Sequence, residues 1–192
     1  MILTLARHAG SLANMRCSMF ALATAAVILG ISVPAQAQLQ RGQVAPTFSA
    51  QAALAGKTYQ FNLQQALVNG PVVLYFYPKA FTAGCSLEAQ LFAENMPSFE
   101  KEQASVIGIS ADDIDTLKKF SEGPCGSKFA VASDASKNIM KAYGTYQERS
   151  GLSGRTTFVI GKDGKIMDSL TSSNPVEHVE FSIKALQTSK TP

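Results

Sequence analysis

The stretch Val72 to Glu88, VVLYFYPKAFTAGCSLE, decides the fold. Its first six residues, Val72 to Tyr77, are apolar nearly throughout, as in a strand covered on both faces. Pro78 ends that run, and a short loop with Thr82 and Gly84 follows. A helix opens at Cys85 and carries Leu87, Leu91, Phe92, Met96 and Phe99. Pro97 predicts a kink or restart near Met96. A buried strand therefore delivers a thiol to the first turn of a helix.

That placement has chemical consequences. A helix N-terminus carries about half a positive charge and presents free N–H groups, and both favour a thiolate. A free cysteine has a pKa of about 8.5, which such sites lower to about 4–7. Gly84 lets the backbone approach close beside the sulfur. Thr82, three residues before Cys85, has a hydroxyl able to turn toward the same point. Pro78 stiffens the loop and shields one side of the sulfur.

Working outward from this stretch, strands and helices alternate. Phe48 is expected to dock on the core after a loose segment from Gln38 to Ala45. Lys57–Phe61 alternates as a short strand, and Asn62 is placed to cap a brief helix, Leu63–Val68. Downstream, Ala104–Ser110 reads as a second buried strand and Ile114–Glu122 as a helix. The aspartates Asp112, Asp113 and Asp115 fit helix capping far better than a metal site. Gly123-Pro124-Cys125-Gly126 is a breaker cluster at a helix end. Phe129–Ser133 reads as a strand, and Asp134 as the cap of a helix reaching Tyr143. Gln147–Gly154 is a polar loop. Thr156–Gly161 and Ile166–Leu170 form a hairpin around Asp163-Gly164. An amphipathic helix, Val176–Leu186, closes the chain, with His178 on its surface. This order predicts an α/β, thioredoxin-like fold, a mixed central sheet flanked by helices.

The front of the chain reads differently. Arg7, His8 and Arg16 precede an apolar run, Met19 to Val33, and Pro34-Ala35-Gln36-Ala37 follows. This is the pattern of a secretory signal peptide over 1–37, cleaved after Ala37, with Met1 or Met15 as the start. Fifteen apolar residues fall short of the roughly 20 that a spanning helix needs. The expected product is residues 38–192, exported to the periplasm and not stably associated with a membrane. Cys17 leaves with the leader, so Cys85 and Cys125 remain. Removing Arg7 and Arg16 also leaves 15 basic residues against 14 acidic; the net charge, +3 for the whole chain, is too small to argue for nucleic acid, and none is expected as a partner. With apolar residues at 46%, the remainder is ample for one globular domain.

Pro78-x-x-x-Thr82-x-x-Cys85, with YFYPK before it and TAGCSLEA around the cysteine, resembles the peroxiredoxins, in particular their Q-type, bacterioferritin-comigratory branch. The resemblance covers nearly all of Ala45 to Leu186. It implies a thiol-dependent peroxidase acting on hydrogen peroxide and organic hydroperoxides without metal, haem or other cofactor. Cys85 would form the sulfenic acid. Arg155, in the context R-x-T-F-V-I, would be the active-site arginine, and Glu88 would help hold it. Read without the resemblance, Glu88 is a plain helix-surface acid. The usual Q-type second cysteine, five residues after the first, is here Gln90. Cys125 is then the candidate to resolve the sulfenic acid as an intrachain disulfide, with a thioredoxin-like or other thiol as reductant. A monomer is expected.

Acidifying the thiol does not by itself explain fast peroxide reduction. A few per cent of a free thiol is already ionised at neutral pH, so full ionisation yields only about 30-fold. The rest must come from donors aimed at the breaking O–O bond. Two rivals remain. One is an exported thioredoxin-like disulfide oxidoreductase, against which Glu88 stands where the second cysteine of C-x-x-C would fall. The other is a non-catalytic exported domain stapled by one disulfide. A single histidine after the leader argues against Cys–His proteases and multi-His zinc sites.

Overall fold

The computed structural model describes residues 38–188; the leader predicted over 1–37 lies outside the described residues. Among the described residues, nine strands and six helices follow one another as β1 (Ser49–Leu54), β2 (Lys57–Asn62), α1 (Leu63–Asn69), β3 (Val72–Phe76), α2 (Ala83–Glu94), α3 (Met96–Lys101), β4 (Ser105–Ser110), α4 (Ile114–Glu122), β5 (Ala130–Ser133), α5 (Asn138–Ala142), β6 (Tyr146–Gln147), β7 (Leu152–Ser153), β8 (Thr156–Ile160), β9 (Ile166–Thr171) and α6 (Pro175–Thr188).

Seven strands form one mixed sheet in the order β2-β1-β5-β4-β3-β8-β9. β3 lies inside it, parallel to β4 and antiparallel to β8. All five of its residues are buried, which explains the unbroken apolar run. Side chains alternate between the two faces of a strand. Val73, Tyr75 and the following Tyr77 join a core with Cys85, Phe92, Phe120, Cys125 and Val179. Val72, Leu74 and Phe76 join the opposite core with Leu63, Leu67, Met140 and Tyr143. Helices α2, α3, α4 and α6 thus cover one face, and α1 and α5 the other. Each large side chain buried on either face contributes about 1.5–3 kcal/mol. The two aromatic-rich cores therefore hold β3, and the loop it feeds, firmly in place.

Local signals account for most boundaries. The Asn62 side chain accepts from the Gln65 N–H at the start of α1, and Asp113 accepts from Thr116 at the start of α4. Asp112 plays a different part, since its carboxylate accepts from the Ala80 N–H at 2.7 Å and from the Ser110 hydroxyl at 2.8 Å. It ties the loop after β3 to the end of β4. Asn95 ends α2 and α3 restarts at Met96, with Pro97 in its first turn.

Four details differ from the sequence reading. β1, an alanine-rich strand with weak propensity, escaped it. β1 pairs with β2 through a tight turn in which Ala55 and Gly56 both have positive φ, the geometry of a type I′ hairpin without its usual Asn-Gly. α5 starts at Asn138 rather than just after Asp134, because Lys137 takes a left-handed conformation first. Asp134 still holds that helix, by accepting from the Met140 N–H at 2.8 Å. The polar segment 147–154 contains part of a small two-stranded ladder, β6 with β7. Finally, His178 is not on the surface. It is fully buried with Val179, Ser182 and Leu186, and this is the face that α6 turns inward. Its apolar companion Val176 is exposed instead. Polar residues can occupy that face because each finds a partner: Ser182 donates to the His178 carbonyl, and the His178 ring is bonded at both nitrogens.

Candidate active site

Cys85 is the third residue of α2, where backbone N–H groups still lack partners within the helix. Its sulfur is 3.5 Å from Nη2 of Arg155, which sits immediately before β8. β8 is hydrogen-bonded to β3, with Phe76 opposite Thr156. Adjacent strands therefore bring the thiol and the guanidinium to the same end of the sheet. The thiol comes by way of the loop after β3, and the guanidinium from the residue before β8.

Glu88 fixes the guanidinium. It is one turn after Cys85, fully buried, and its Oε2 accepts from Nη1 of Arg155. The reading of Glu88 as a helix-surface acid is therefore overturned. Its surroundings were invisible to a helix pattern, because the partner arrives from the residue before β8, 67 positions away. Burial pushes the Glu88 carboxyl up to about 8, against the opposing pull of Arg155. Its other oxygen, Oε1, is buried without a hydrogen-bond partner.

Gly84 has a steric reason to be glycine. A Cβ there would lie 3.1 Å from Nη2 of Arg155, tighter than ordinary van der Waals contact. The Thr82 hydroxyl does not turn to the sulfur: it donates to the Lys79 carbonyl at 3.1 Å and closes the loop on itself. Pro78 follows Tyr77 at the start of that loop, and Phe81 within it has φ of +62° and packs edge-on against Phe120 of α4. An aromatic residue in this backbone region carries strain, which surrounding contacts must offset.

Cys125 lies in the turn after α4, fully buried. It is a free thiol, as is Cys85. Its N–H donates to the Phe120 carbonyl, and Gly126 and Ser127 after it both have positive φ. Burial pushes the Cys125 thiol well up, so it is held neutral. A Cβ on Gly126 would lie 3.8 Å from that of Ala93, near the far end of α2. Eight residues separate Ala93 from Cys85, or about 12 Å along the helix axis. The two thiols belong to one apolar core but sit toward opposite ends of α2.

A residue that sequence reasoning placed wrongly completes the cluster. Nδ1 of His178 is 3.9 Å from Oε1 of Glu88. Nδ1 is also 2.8 Å from the Thr157 hydroxyl, and Nε2 is 3.0 Å from the Ser172 carbonyl. The only hint in the sequence was the helical spacing that puts His178 beside Val179 and Ser182.

A strand delivering a thiol to a helix N-terminus, faced by a guanidinium that a buried carboxylate holds, defines a thioredoxin-like α/β protein built for thiol chemistry. Comparison with known proteins places it more narrowly. The AhpC/TSA family profile matches residues 41–169. A chloroplastic peroxiredoxin Q of Populus jackii is 34% identical over 155 residues, which span 79% of this chain and 70% of the relative. A putative peroxiredoxin of Mycobacterium tuberculosis is 37% identical over 129 residues, 64% of this chain and 77% of the relative. Among solved structures, the peroxidoxin BcpB of M. tuberculosis superposes with a TM-score of 0.73 at 30% identity, covering 80% of this chain and all of that one. The chain belongs to the AhpC/TSA family and is a peroxiredoxin, a thiol peroxidase, of the Q type.

Proposed function

We propose that the chain reduces hydrogen peroxide and organic hydroperoxides through Cys85, is resolved by Cys125, and works after export. The observation that carries this reading is the Arg155 guanidinium, 3.5 Å from the Cys85 sulfur and locked by Glu88. In the first step the Cys85 thiolate attacks one peroxide oxygen. The O–O bond breaks, the sulfur keeps the attacked oxygen as sulfenic acid, and the other oxygen leaves with a proton as water or alcohol. Arg155 and the free N–H groups of the first turn of α2 face the charge that grows on the leaving oxygen. Thr82 and Pro78 shape the loop that carries the thiol.

In the second step the Cys125 sulfur attacks the sulfenic sulfur, water leaves, and a disulfide forms. A disulfide needs Cα atoms within about 7 Å. The first turn of α2 and the turn at 123–127 must therefore unwind toward each other. That same movement would take Cys125 out of the apolar core that keeps it neutral. A thioredoxin-like or other thiol then reduces the bond, in the periplasm if the leader over 1–37 is cleaved after Ala37, and the protein acts as a monomer. The disulfide-oxidoreductase reading gains nothing from the site, since Glu88 occupies the place of a second cysteine and is committed to Arg155.

The test is peroxide consumption by the reduced chain before any reductant is added. Wild type is expected to consume one peroxide per chain rapidly and then show an intrachain Cys85–Cys125 link by peptide mass spectrometry. Cys85→Ser should show neither. Equal consumption by Cys85→Ser would overturn the reading, and a sulfenic or sulfinic acid left on Cys85 without the link would remove Cys125 from it.

A further inference from the structure

The peroxidase chemistry leaves one buried group near the site without a role. His178 is fully enclosed beside the second oxygen of Glu88, and its ring geometry determines where its proton lies. A backbone carbonyl only accepts, so Nε2, 3.0 Å from the Ser172 oxygen, carries the hydrogen. In the neutral ring Nδ1 is then bare, and it accepts from the Thr157 hydroxyl at 2.8 Å. The same bare nitrogen faces Oε1 of Glu88 at 3.9 Å. Oε1 is a buried oxygen with no hydrogen-bond partner. Nδ1 has a single lone pair, which the Thr157 hydroxyl takes, so Oε1 is the atom left without a donor; its burial costs free energy unless a proton comes to it, and Nδ1 shares that proton when the Thr157 hydroxyl turns away.

We propose that His178 is a positioning residue that shares one proton with Glu88, and that this proton keeps the Arg155 guanidinium directed at Cys85. The inference rests on the peroxidase reading of Cys85. A shift of about 1 Å closes the Oε1 to Nδ1 gap to hydrogen-bond length. Charge then decides the consequence. Without the proton, the Cys85 thiolate and the Glu88 carboxylate compete for one guanidinium. With it, Arg155 has one anion's worth of charge to balance, and its field acts on the sulfur and the departing peroxide oxygen. Burial disfavours the charged form at both ends of the pair, raising Glu88 and lowering His178, so that near neutrality the pair holds a single proton. The charged and titratable groups around the ring are Glu88 of α2, Arg155 before β8, and Glu177 of its own helix. Tyr75 of β3 is coupled to Glu88 in turn. Arg155 disfavours a charged imidazole and Glu177 favours it. The pair titrates as a unit, so its apparent pKa belongs to neither residue alone.

The experiment measures the rate at which peroxide oxidises Cys85 in the whole chain, from mildly acid to alkaline pH. Each rate is divided by the thiolate fraction, which is measured separately from thiolate absorbance. For wild type the rate per thiolate should fall by about tenfold on the alkaline side as the shared proton is lost. Glu88→Gln, which still accepts from Arg155 but does not titrate, should abolish that fall. His178→Gln keeps polar contacts to Thr157 and Ser172 but takes no proton, and it should displace the fall by about one pH unit or remove it. His178→Leu should do the same with a lower rate throughout. If His178→Leu does not fold, the glutamine variant decides. Nitrogen NMR of the His178 ring supplies a readout independent of peroxide: its Nδ1 signal should titrate in wild type at the pH of the rate change, and at a different pH in Glu88→Gln. A flat wild-type profile, a fall unmoved in both His178 variants, or a ring signal insensitive to Glu88→Gln would overturn the proposal. Failure of wild type to react with peroxide at all would instead overturn the peroxidase reading, while the ring titration still judges the pair.

Discussion

The two cysteines make an instructive pair. Both are buried in the same core cluster, which includes the aromatic side chains on one face of β3. Cys85 sits where a helix begins, among N–H groups that have no partner within the helix, and a guanidinium lies 3.5 Å away. Cys125 sits where a helix has ended, and burial holds its thiol neutral. Burial alone would make both inert. Backbone position and one cation therefore distinguish the two sulfurs, and on the proposed reading they separate the one that attacks from the one that must first be released. The pair teaches that a thiol's role follows from which end of a helix it occupies and what charge faces it, more than from how deeply it lies.

The largest expected effect removes the member of the pair proposed to attack peroxide. Cys85→Ser should abolish peroxide consumption, read by loss of peroxide from the medium, whereas Cys125→Ser should leave the first turnover intact and abolish only the intrachain link. Removing the cation comes next. Arg155→Met should slow oxidation of Cys85 by about 10²–10³-fold, the usual loss when a donor to a developing oxyanion is deleted. Breaking a buried pair by removing one partner commonly costs about 3–5 kcal/mol. Here the loss should be smaller below about pH 8, because the carboxyl of Glu88 already holds a proton there and removing Arg155 leaves no unpaired buried charge. A thermal-unfolding series across pH would separate the two effects.

Glu88 gives the pair a pH signature in stability. Its folded pKa of about 8 is above the value of about 4.3 for an exposed glutamate, so between these values the folded state holds a proton that the unfolded state has lost. Stability from this group is fully present below about pH 4.3 and lost as pH rises through about 8. His178 acts with the opposite sign. Burial lowers its folded pKa, so its contribution is present above the ordinary histidine range and lost as pH falls through the lowered folded value. A melting temperature that declines from mildly acid to alkaline pH in wild type, and declines less in Glu88→Gln, would bear out the first sign. The smallest effect concerns fit. Gly84→Ala should leave stability nearly unchanged but slow Cys85 oxidation severalfold, because the new methyl would lie 3.1 Å from the guanidinium that must stay in place.

Much of this was legible in the sequence. The apolar run Val72–Tyr77 announced a strand buried on both faces, and the break at Pro78 followed by Thr82, Gly84 and Cys85 announced a thiol at a helix start. Arg155 was reached only through a family resemblance, since nothing in its spacing ties it to a residue 70 positions earlier. Periodicity failed at His178 and Glu88 for one shared reason. Both are polar residues on inward faces, and a pattern that equates polar with exposed assigns each to solvent. Only the three-dimensional meeting of α2, β8 and α6 supplies the partners that let them be buried. β1 escaped because alanine carries little strand preference and its pairing with β2 depends on a turn at Ala55-Gly56 with no sequence hallmark. The Thr82 hydroxyl illustrates a different limit, since spacing put it within reach of the sulfur while its bond to the Lys79 carbonyl turned it elsewhere.

The contrast between the two thiols meets its most direct test in peptide-resolved mass spectrometry of the Cys125→Ser chain after one equivalent of peroxide. The account predicts a sulfenic acid, trapped by a sulfenate-specific reagent, on Cys85 in nearly every molecule. An unmodified Cys85 under those conditions, with peroxide left unconsumed or oxidation spread over the methionines, would contradict it.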